Sequence, residues 1–360
     1  MSTPTILTIV GARPQFIKAA PVTTALAAAG ITEIMVHTGQ HFDANMSAVF
    51  FEELGIPDPT HHLDIHGGGH GAMTGRMLQE LEPLFEQHRP SAVLIYGDTN
   101  STLAGALVAA KLHIPVAHVE AGLRSFNRRM PEEINRVLAD HVSAMLFCPT
   151  PTAVENLARE GITHNVHMVG DVMYDATLAA TVRAAKESTI LSRLNLSPKT
   201  YAVATIHRAE NTDDPAALHK IVNYLAEQAV QQPIILPLHP RTRQALAAAQ
   251  ITLPPSITSI EPLGYLDMTQ LAHHAALILT DSGGLQKEAY FHRVPCVTLR
   301  TETEWVETIT SGWNRLWSVP EYTTPRTDIP AYGTGQAAKT IAKILHDRYI
   351  LGVDARNSAL

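Results

Sequence analysis

Between Val119 and Arg136 the chain reads VEAGLRSFNRRMPEEINR, with the carboxylates Glu120, Glu132 and Glu133 set among Arg124, Arg128, Arg129 and Arg136. Such a mixture can move protons and hold an anion. It can also merely pair with itself on a solvated surface, where exposed ion pairs are worth little. Other segments bear on that choice. TDSGGLQKEA puts Asp281, Ser282, Gly283 and Gly284 at a strand-to-helix turn. There glycines admit a ligand to the backbone, and the N–H groups of a helix start favour an anion such as a pyrophosphate. Glu288, about one turn on, can reach a diol; a plain turn capped by Ser282 or Asp281 is the competing reading. GARPQFIK places the cations Arg13 and Lys18 in and after the first strand-to-helix loop, which suits phosphate again.

ATIHRAEN and LHPRTR set His207–Arg208, and His239 with Arg241 and Arg243, just beyond two strand-like runs. A lone histidine there is more often structural than catalytic, but recurrence at equivalent strand ends weakens that reading. Asp98, in IYGDTN, either caps the helix beginning at Asn100 or does chemistry. The cluster His61, His62, His66 and His70 has no HExxH-type partner pattern, and its glycines read as a mobile surface loop. No metal is expected.

These residues need elements to hold them. TILTIV, EIMVH, SAVLIYGD, IPVAHVE, AMLFCPT and NVHMVGD alternate with helical patterns, as in a doubly wound parallel sheet. A long helix, VMYDATLAATVRAAKESTI, and the polar NLSPK then lead to a second series: YAVATIH, PIILPLH, SITSIEP, ALILTD and PCVTLR. The expectation is an α/β protein of two Rossmann-like domains facing across a cleft. They are expected at 1–172 and 173–339, with a helix at about 340–360 packing back on the first. VEAGLRS follows the buried run KLHIPVAHV, so its charges fall at the C-terminal end of a strand, where open sheets place their ligand crevice.

Bulk properties narrow the classes. A chain of 360 residues exceeds one ordinary core, and 45% hydrophobic with 17% charged residues is globular rather than disordered. A formal charge of −7 leaves no basic footprint for nucleic acid. No apolar run approaches a membrane span, and MSTPTILTIV lacks the basic start and cleavage site of a leader. Cys148 and Cys296 give neither a disulfide framework nor metal spacing. A cytoplasmic protein without nucleic-acid or membrane partners is expected.

Taken in order, GARPQFIK, TGQHFD, GDTNSTLAGALVA, HVEAGLRS, PEEINR, TIHRAEN, LHPRTR, TDSGGLQKEA and LRTETEWVET resemble the non-hydrolysing UDP-N-acetylglucosamine 2-epimerase family nearly end to end. The resemblance implies a glycosyltransferase-B-like fold, a UDP-sugar substrate, a homodimer, and inversion at C2 without a cofactor. The family's route eliminates UDP to a 2-acetamidoglucal and adds it back on the other face. Position by position, Asp98, Glu120, Glu132 and His207 match the family's catalytic residues. Arg13, Lys18 and Arg136 fall on the substrate side, Ser282, Gly283 and Gly284 match the phosphate turn, Glu288 the ribose contact, and the backbone near Leu263 the uracil site. Gln40, His41, Arg76, Arg208 and His239 lie where some members hold a second, activating UDP-sugar. Against HRRE and TTERPE, common in members acting on UDP-GlcNAc, this chain has Ala209 and Trp305 in place of arginines, which bears on that second site.

SFNRRMPEEINR, DIHGGGHG, LQKEA and TEWVET look more like the branch acting on UDP-2,3-diacetamido-2,3-dideoxyglucuronate, whose C6 carboxylate Arg128 or Arg129 could meet. UDP-GlcNAc remains the alternative. A glycosyltransferase of the same fold would not require all four acid and histidine positions together. A silent UDP-sugar sensor should have lost one of them, and the hydrolysing relatives usually carry a fused kinase domain.

Overall fold

The aliphatic runs fold as parallel strands with helical crossovers, and the computed structural model describes residues 4–40 and 51–352. Contacts divide the chain into Met1–Ala176 with Pro330–Leu360, and Thr177–Ile329. The helix Val172–Glu187 contributes to both.

The first unit holds β1 (Thr5–Val10), β2 (Thr32–His37), β3 (His61–His62), β4 (Ala92–Tyr96), β5 (Val116–Val119), β6 (Met145–Cys148) and β7 (Val166–Met168). All pair in parallel in the order β3-β2-β1-β4-β5-β6-β7. β1, β4, β5 and β6 are buried nearly end to end, as strands covered on both faces are, while β3 and β7 at the edges are not. One face packs Phe16, Leu94, Tyr96, Val119 and Phe147 with Ile341 and Leu345 of the helix Ala337–Tyr349. The other packs Leu7, Ile95, Leu81 and Phe85. The Asp175 carboxylate accepts from the backbone N–H groups of Ala337 (3.2 Å) and Ala338 (2.9 Å), placing an anion at the start of that last helix.

The second unit holds β8 (Ala202–Thr205), β9 (Ile234–Pro237), β10 (Ile257–Ile260), β11 (Leu277–Thr280), β12 (Cys296–Thr298) and β13 (Asn314–Leu316), in the order β10-β9-β8-β11-β12-β13. In each sheet the strand order reverses once, between β1 and β4 and between β8 and β11. Ligands of open α/β sheets bind beyond the strand ends at such a switch point.

Two short strands depart from the sequence reading. His61–His62 pairs with Val36–His37 as β3 instead of lying in a loop, and Asn314–Leu316 adds β13 beside β12. Two or three residues are too few to show a period. Among the described residues, no helix is long and apolar enough to cross a membrane.

Gly122 closes the loop after β5 with φ 81°, and a Cβ there would lie 2.4 Å from the Ala153 carbonyl oxygen. Gly122→Ala should therefore cost roughly 2–5 kcal/mol, from left-handed strain plus a backbone clash. Gly161 has φ 81° as well but open space around it. Gly161→Ala should cost only the conformational share, about 1–2 kcal/mol. Calorimetry of the two full-length variants checks the difference; equal losses would contradict it.

Candidate active site

At the first switch point the turn after β1 is held by Gln15. Its amide oxygen accepts from the N–H groups of Gly11 (2.8 Å) and Ala12 (3.1 Å), and its amide nitrogen donates to the Tyr96 carbonyl (2.9 Å) and Thr102 Oγ1 (3.0 Å). The β1 and β4 turns are thereby locked together. Arg13 opens the helix Arg13–Ala28 and is exposed, and Lys18, buried one turn later, pairs with Glu120. Glu120 leaves β5 with φ 70°, a left-handed conformation that non-glycine residues adopt only under constraint. Its N–H and that of Ala121 both donate to the Phe147 carbonyl at 3.1 Å. Gly97, at φ 60°, gives this pair its room: a Cβ there would sit 3.3 Å from Glu120 Oε2 and 3.5 Å from Lys18 Nζ.

Asp98 follows. The sequence weighed it as a helix cap, but Thr99 takes that role, accepting from the Thr102 N–H at the start of the helix Asn100–Lys111. Asp98 pairs instead with Arg136, and its backbone carbonyl accepts from Asn135 Nδ2 (2.9 Å). Burial raises the Asp98 carboxyl above its ordinary value; Arg136 and Lys18 pull it down, and Glu120 adds to the rise.

The helix Pro131–Val142 presents the rest. Glu132 is half-buried, one turn before Arg136 and so on the same face, and it ion-pairs with no described residue. Glu133 is turned the other way. It accepts from the Ser125 N–H (2.8 Å) and hydroxyl (2.9 Å), the Phe126 N–H (2.9 Å) and Arg136 (3.2 Å), fixing the loop before the helix. Burial would raise the Glu133 carboxyl, but these bonds and the Arg136 charge bring it below the usual carboxylate range. The four arginines therefore divide. Arg124 pairs with Asp140 and Glu160, and Arg136 with Asp98 and Glu133, while Arg128 and Arg129 are exposed and ion-pair with no described residue.

In the second unit, His207 and Arg208 follow β8, and Asp281 follows β11 at its side. The sequence offered Asp281 as a cap, yet Ser282 caps the helix Gly283–Phe291, accepting from the Leu285 N–H. Asp281 is fully buried and turns back to accept from the N–H groups of His207 (3.0 Å) and Arg208 (3.0 Å) and from Asn211 Nδ2 (3.0 Å). His207 Nδ1 lies 3.2 Å from the same carboxylate, which orients the ring. His239 follows the neighbouring β9, its ring centroid 5.9 Å from that of His207, and its Nδ1 accepts from the Arg241 N–H. Gly283 and Gly284 open the helix with N–H groups suited to an anion, and Glu288 is half-buried a turn further in. A Cβ at Gly283 would meet Glu304 Oε1 at 2.5 Å. Leu263 lines a pocket with Ile190, Leu194 and Ile260.

The residues matched to a second UDP-sugar site are engaged within the chain. Gln40 accepts from Ser101 N–H (3.0 Å) and hydroxyl (2.9 Å), Arg76 donates to the His66 (3.0 Å) and Gly67 (2.6 Å) carbonyls, and Arg208 lies 3.9 Å from Glu304. His41 lies outside the described residues. No group of three or more potential metal ligands gathers among the described residues. Sequence reasoning missed Gln15, Asp140 and the orienting role of Asp281. Only Gln15, two residues after Arg13 in GARPQ, carried a local signal.

Paired doubly wound parallel sheets of this kind define the glycosyltransferase-B-like class of α/β proteins. Within it the chain belongs to the UDP-N-acetylglucosamine 2-epimerase family, whose profile matches residues 24–346. It is 52% identical over 356 residues to the UDP-2,3-diacetamido-2,3-dideoxy-D-glucuronate 2-epimerase of Pseudomonas aeruginosa, covering 94% of this chain and 99% of that one. With a UDP-N-acetylglucosamine 2-epimerase of Methanocaldococcus jannaschii it shares 46% identity over 317 residues, 86% of this chain and 87% of the other. The crystal structure of Methanocaldococcus jannaschii UDP-GlcNAc 2-epimerase in complex with UDP-GlcNAc and UDP superposes with a TM-score of 0.83 at 42% identity. That match spans 96% of this chain and 99% of that one.

Proposed function

We propose that the protein inverts C2 of a UDP-2-acetamido sugar by eliminating UDP and adding it back, with UDP-2,3-diacetamido-2,3-dideoxy-glucuronate as the substrate. H2 of such a sugar is not α to a carbonyl, so a base alone removes it poorly. Loss of H2 coupled to C1–O cleavage sends the electron pair into a C1=C2 bond and leaves negative charge on the β-phosphate. Inversion then requires a proton removed from one face and another delivered to the opposite face, hence two groups. The observation that carries this reading is the pair of ion pairs at the first switch point, Lys18–Glu120 beside Gly97 and Arg136–Asp98 at the next residue.

In this reading Asp98 and Glu120 handle the protons; a carboxyl raised by burial suits Asp98 to accepting one. Glu132 stabilises positive charge at C1. By the family match, His207, Arg13 and the N–H groups of Gly283 and Gly284 are assigned to the departing phosphate, whose developing charge such donors and cations stabilise. Glu288 takes the ribose and the backbone at Leu263 the uracil. UDP-GlcNAc is the alternative substrate, supported by the relative from Methanocaldococcus jannaschii named for it. Identity to the diacetamido-glucuronate epimerase and the exposed Arg128 and Arg129 favour the uronate. The family resemblance also supports a homodimer working in the cytoplasm on nucleotide sugars; a monomer mass by light scattering would overturn the first of these.

Proton NMR of the C2 epimers formed from each sugar tests the substrate. The uronate should be turned over with the higher kcat/KM. Arg128→Ala with Arg129→Ala should lower that value by about 10–100-fold, a charged hydrogen bond's worth, and leave UDP-GlcNAc turnover unchanged. An equal loss on both sugars would contradict the assignment of these arginines.

A further inference from the structure

Building on the function proposed above, we infer that His118 is a buried imidazolium and a positioning residue for the reaction, tying together the three segments that carry the candidate acids. His118 lies in β5 with no exposed surface. Its Nε2 is 2.7 Å from the Gly97 carbonyl oxygen and its Nδ1 is 2.7 Å from Asp140 Oδ1. A carbonyl oxygen only accepts, so Nε2 must carry a hydrogen. Asp140 is buried too, and its other oxygen accepts from the Gly122 N–H (3.0 Å) and from Arg124 Nη1 (2.7 Å). A carboxyl receiving those donors beside a guanidinium is ionised, so Nδ1 must donate as well. A neutral imidazole has one N–H and would leave one of the two short contacts acceptor against acceptor. Burial opposes the Asp140 charge, yet His118 and Arg124 hold its carboxyl below the ordinary value.

The topology gives the pair its reach. Gly97 immediately precedes Asp98, and His118 stands two residues before Glu120 on β5. Asp140 lies in the last turn of the helix that carries Glu132 and Arg136. One ion pair therefore spans the β4 turn, β5 and that helix, and through Gly122 it also reaches the loop after Glu120. Gly97 turns at φ 60°, which glycine adopts freely, whereas Glu120 at φ 70° holds a conformation that persists in a non-glycine residue only where surrounding contacts fix it. The charged and titratable groups around His118 are Asp140 from the helix, Arg124 from the following loop, and Cys148 of β6 next to Asp140. Across the β4 turn stand Asp98 and the Lys18–Glu120 pair. Arg124 is already bound twice by Glu160 at 2.7 Å, so Asp140 retains charge for His118. Neither His118 nor Asp140 has the exposure to touch a substrate, so their effect passes through Gly97 and Asp98.

Two measurements on the full-length protein decide the matter. In wild type with 15N-labelled histidine, the ring nitrogens of His118, assigned by comparison with His118→Asn, should both carry a hydrogen, as their two acceptor partners require. A neutral His118 ring would overturn the inference whatever the kinetics of the variants. In kinetics, His118→Gln should lower kcat by about 100-fold, as a small displacement of a reacting group does. KM for the UDP-sugar should stay within about threefold. Asp140→Asn should behave alike, and the double variant no worse than the poorer single one, because the two act as a unit. Wild-type turnover with an unimpaired kcat in folded His118→Gln would overturn the positioning role. Absence of wild-type turnover on either UDP-sugar would instead overturn the proposed function, while the nitrogen signals still judge the imidazolium.

Discussion

Asp98→Asn should reduce kcat by about a thousandfold, within the range that proton transfer by a positioned group contributes, and leave the fold intact. The amide keeps an oxygen toward Arg136 and the same volume, and the backbone carbonyl of residue 98 still accepts from Asn135. What is lost is a group able to take up or release a proton. Binding of UDP, assigned here to other residues, should change little, so the effect falls on kcat rather than on the affinity measured by calorimetric titration. Thermal unfolding in parallel separates the cases. A variant that melts with wild type and turns over with wild type would remove Asp98 from the chemistry. Because inversion needs two proton groups, Glu120→Gln should be of similar severity. Its Lys18 partner would then be left buried without a charge partner from Glu120, so some stability should be lost as well.

The largest structural effect is expected at Asp281. Asp281→Ala removes the acceptor for the His207, Arg208 and Asn211 donors at a fully buried position. Leaving such donors unpaired should cost about 3–5 kcal/mol, comparable with breaking a buried charged contact. It should also release the His207 ring, so kcat/KM should fall more than stability predicts. Calorimetry gives the first quantity and assays well below the lowered transition give the second. Asp281→Ala melting within a degree or so of wild type would contradict this account of the turn, since 1 kcal/mol shifts a transition by about 2–4 °C even in large domains.

The alternation of aliphatic runs and helical patterns made the two parallel sheets legible, because strands buried on both faces must be continuously apolar. β3 and β13 were not legible, since His61–His62 and Asn314–Leu316 are too short for a pattern and pair only because a neighbouring strand offers its edge. The charged residues of VEAGLRSFNRRMPEEINR were visible as a group, but their division was not. Nothing local says that Glu133 folds back on Ser125 while Glu132, beside it, stays without an ion-pair partner among the described residues. The competition at Asp98 between capping and chemistry was real in the sequence, and it turned on Thr99, which is equally able to cap. Asp281 and Ser282 posed the same ambiguity and separated the same way. His118 and Asp140 lie 22 residues apart and meet only because β5 and the helix Pro131–Val142 pack together, so no spacing announced them.

The central claim is that a proton leaves C2 and a different one returns. It is tested most directly by incubating the wild-type protein in D2O with UDP-2,3-diacetamido-2,3-dideoxy-glucuronate and, separately, with UDP-GlcNAc, following H2 by NMR. Deuterium should replace H2 as the epimer forms, with the uronate as the faster substrate. Epimer formation with H2 retained, or no exchange and no epimer with either sugar, would contradict it.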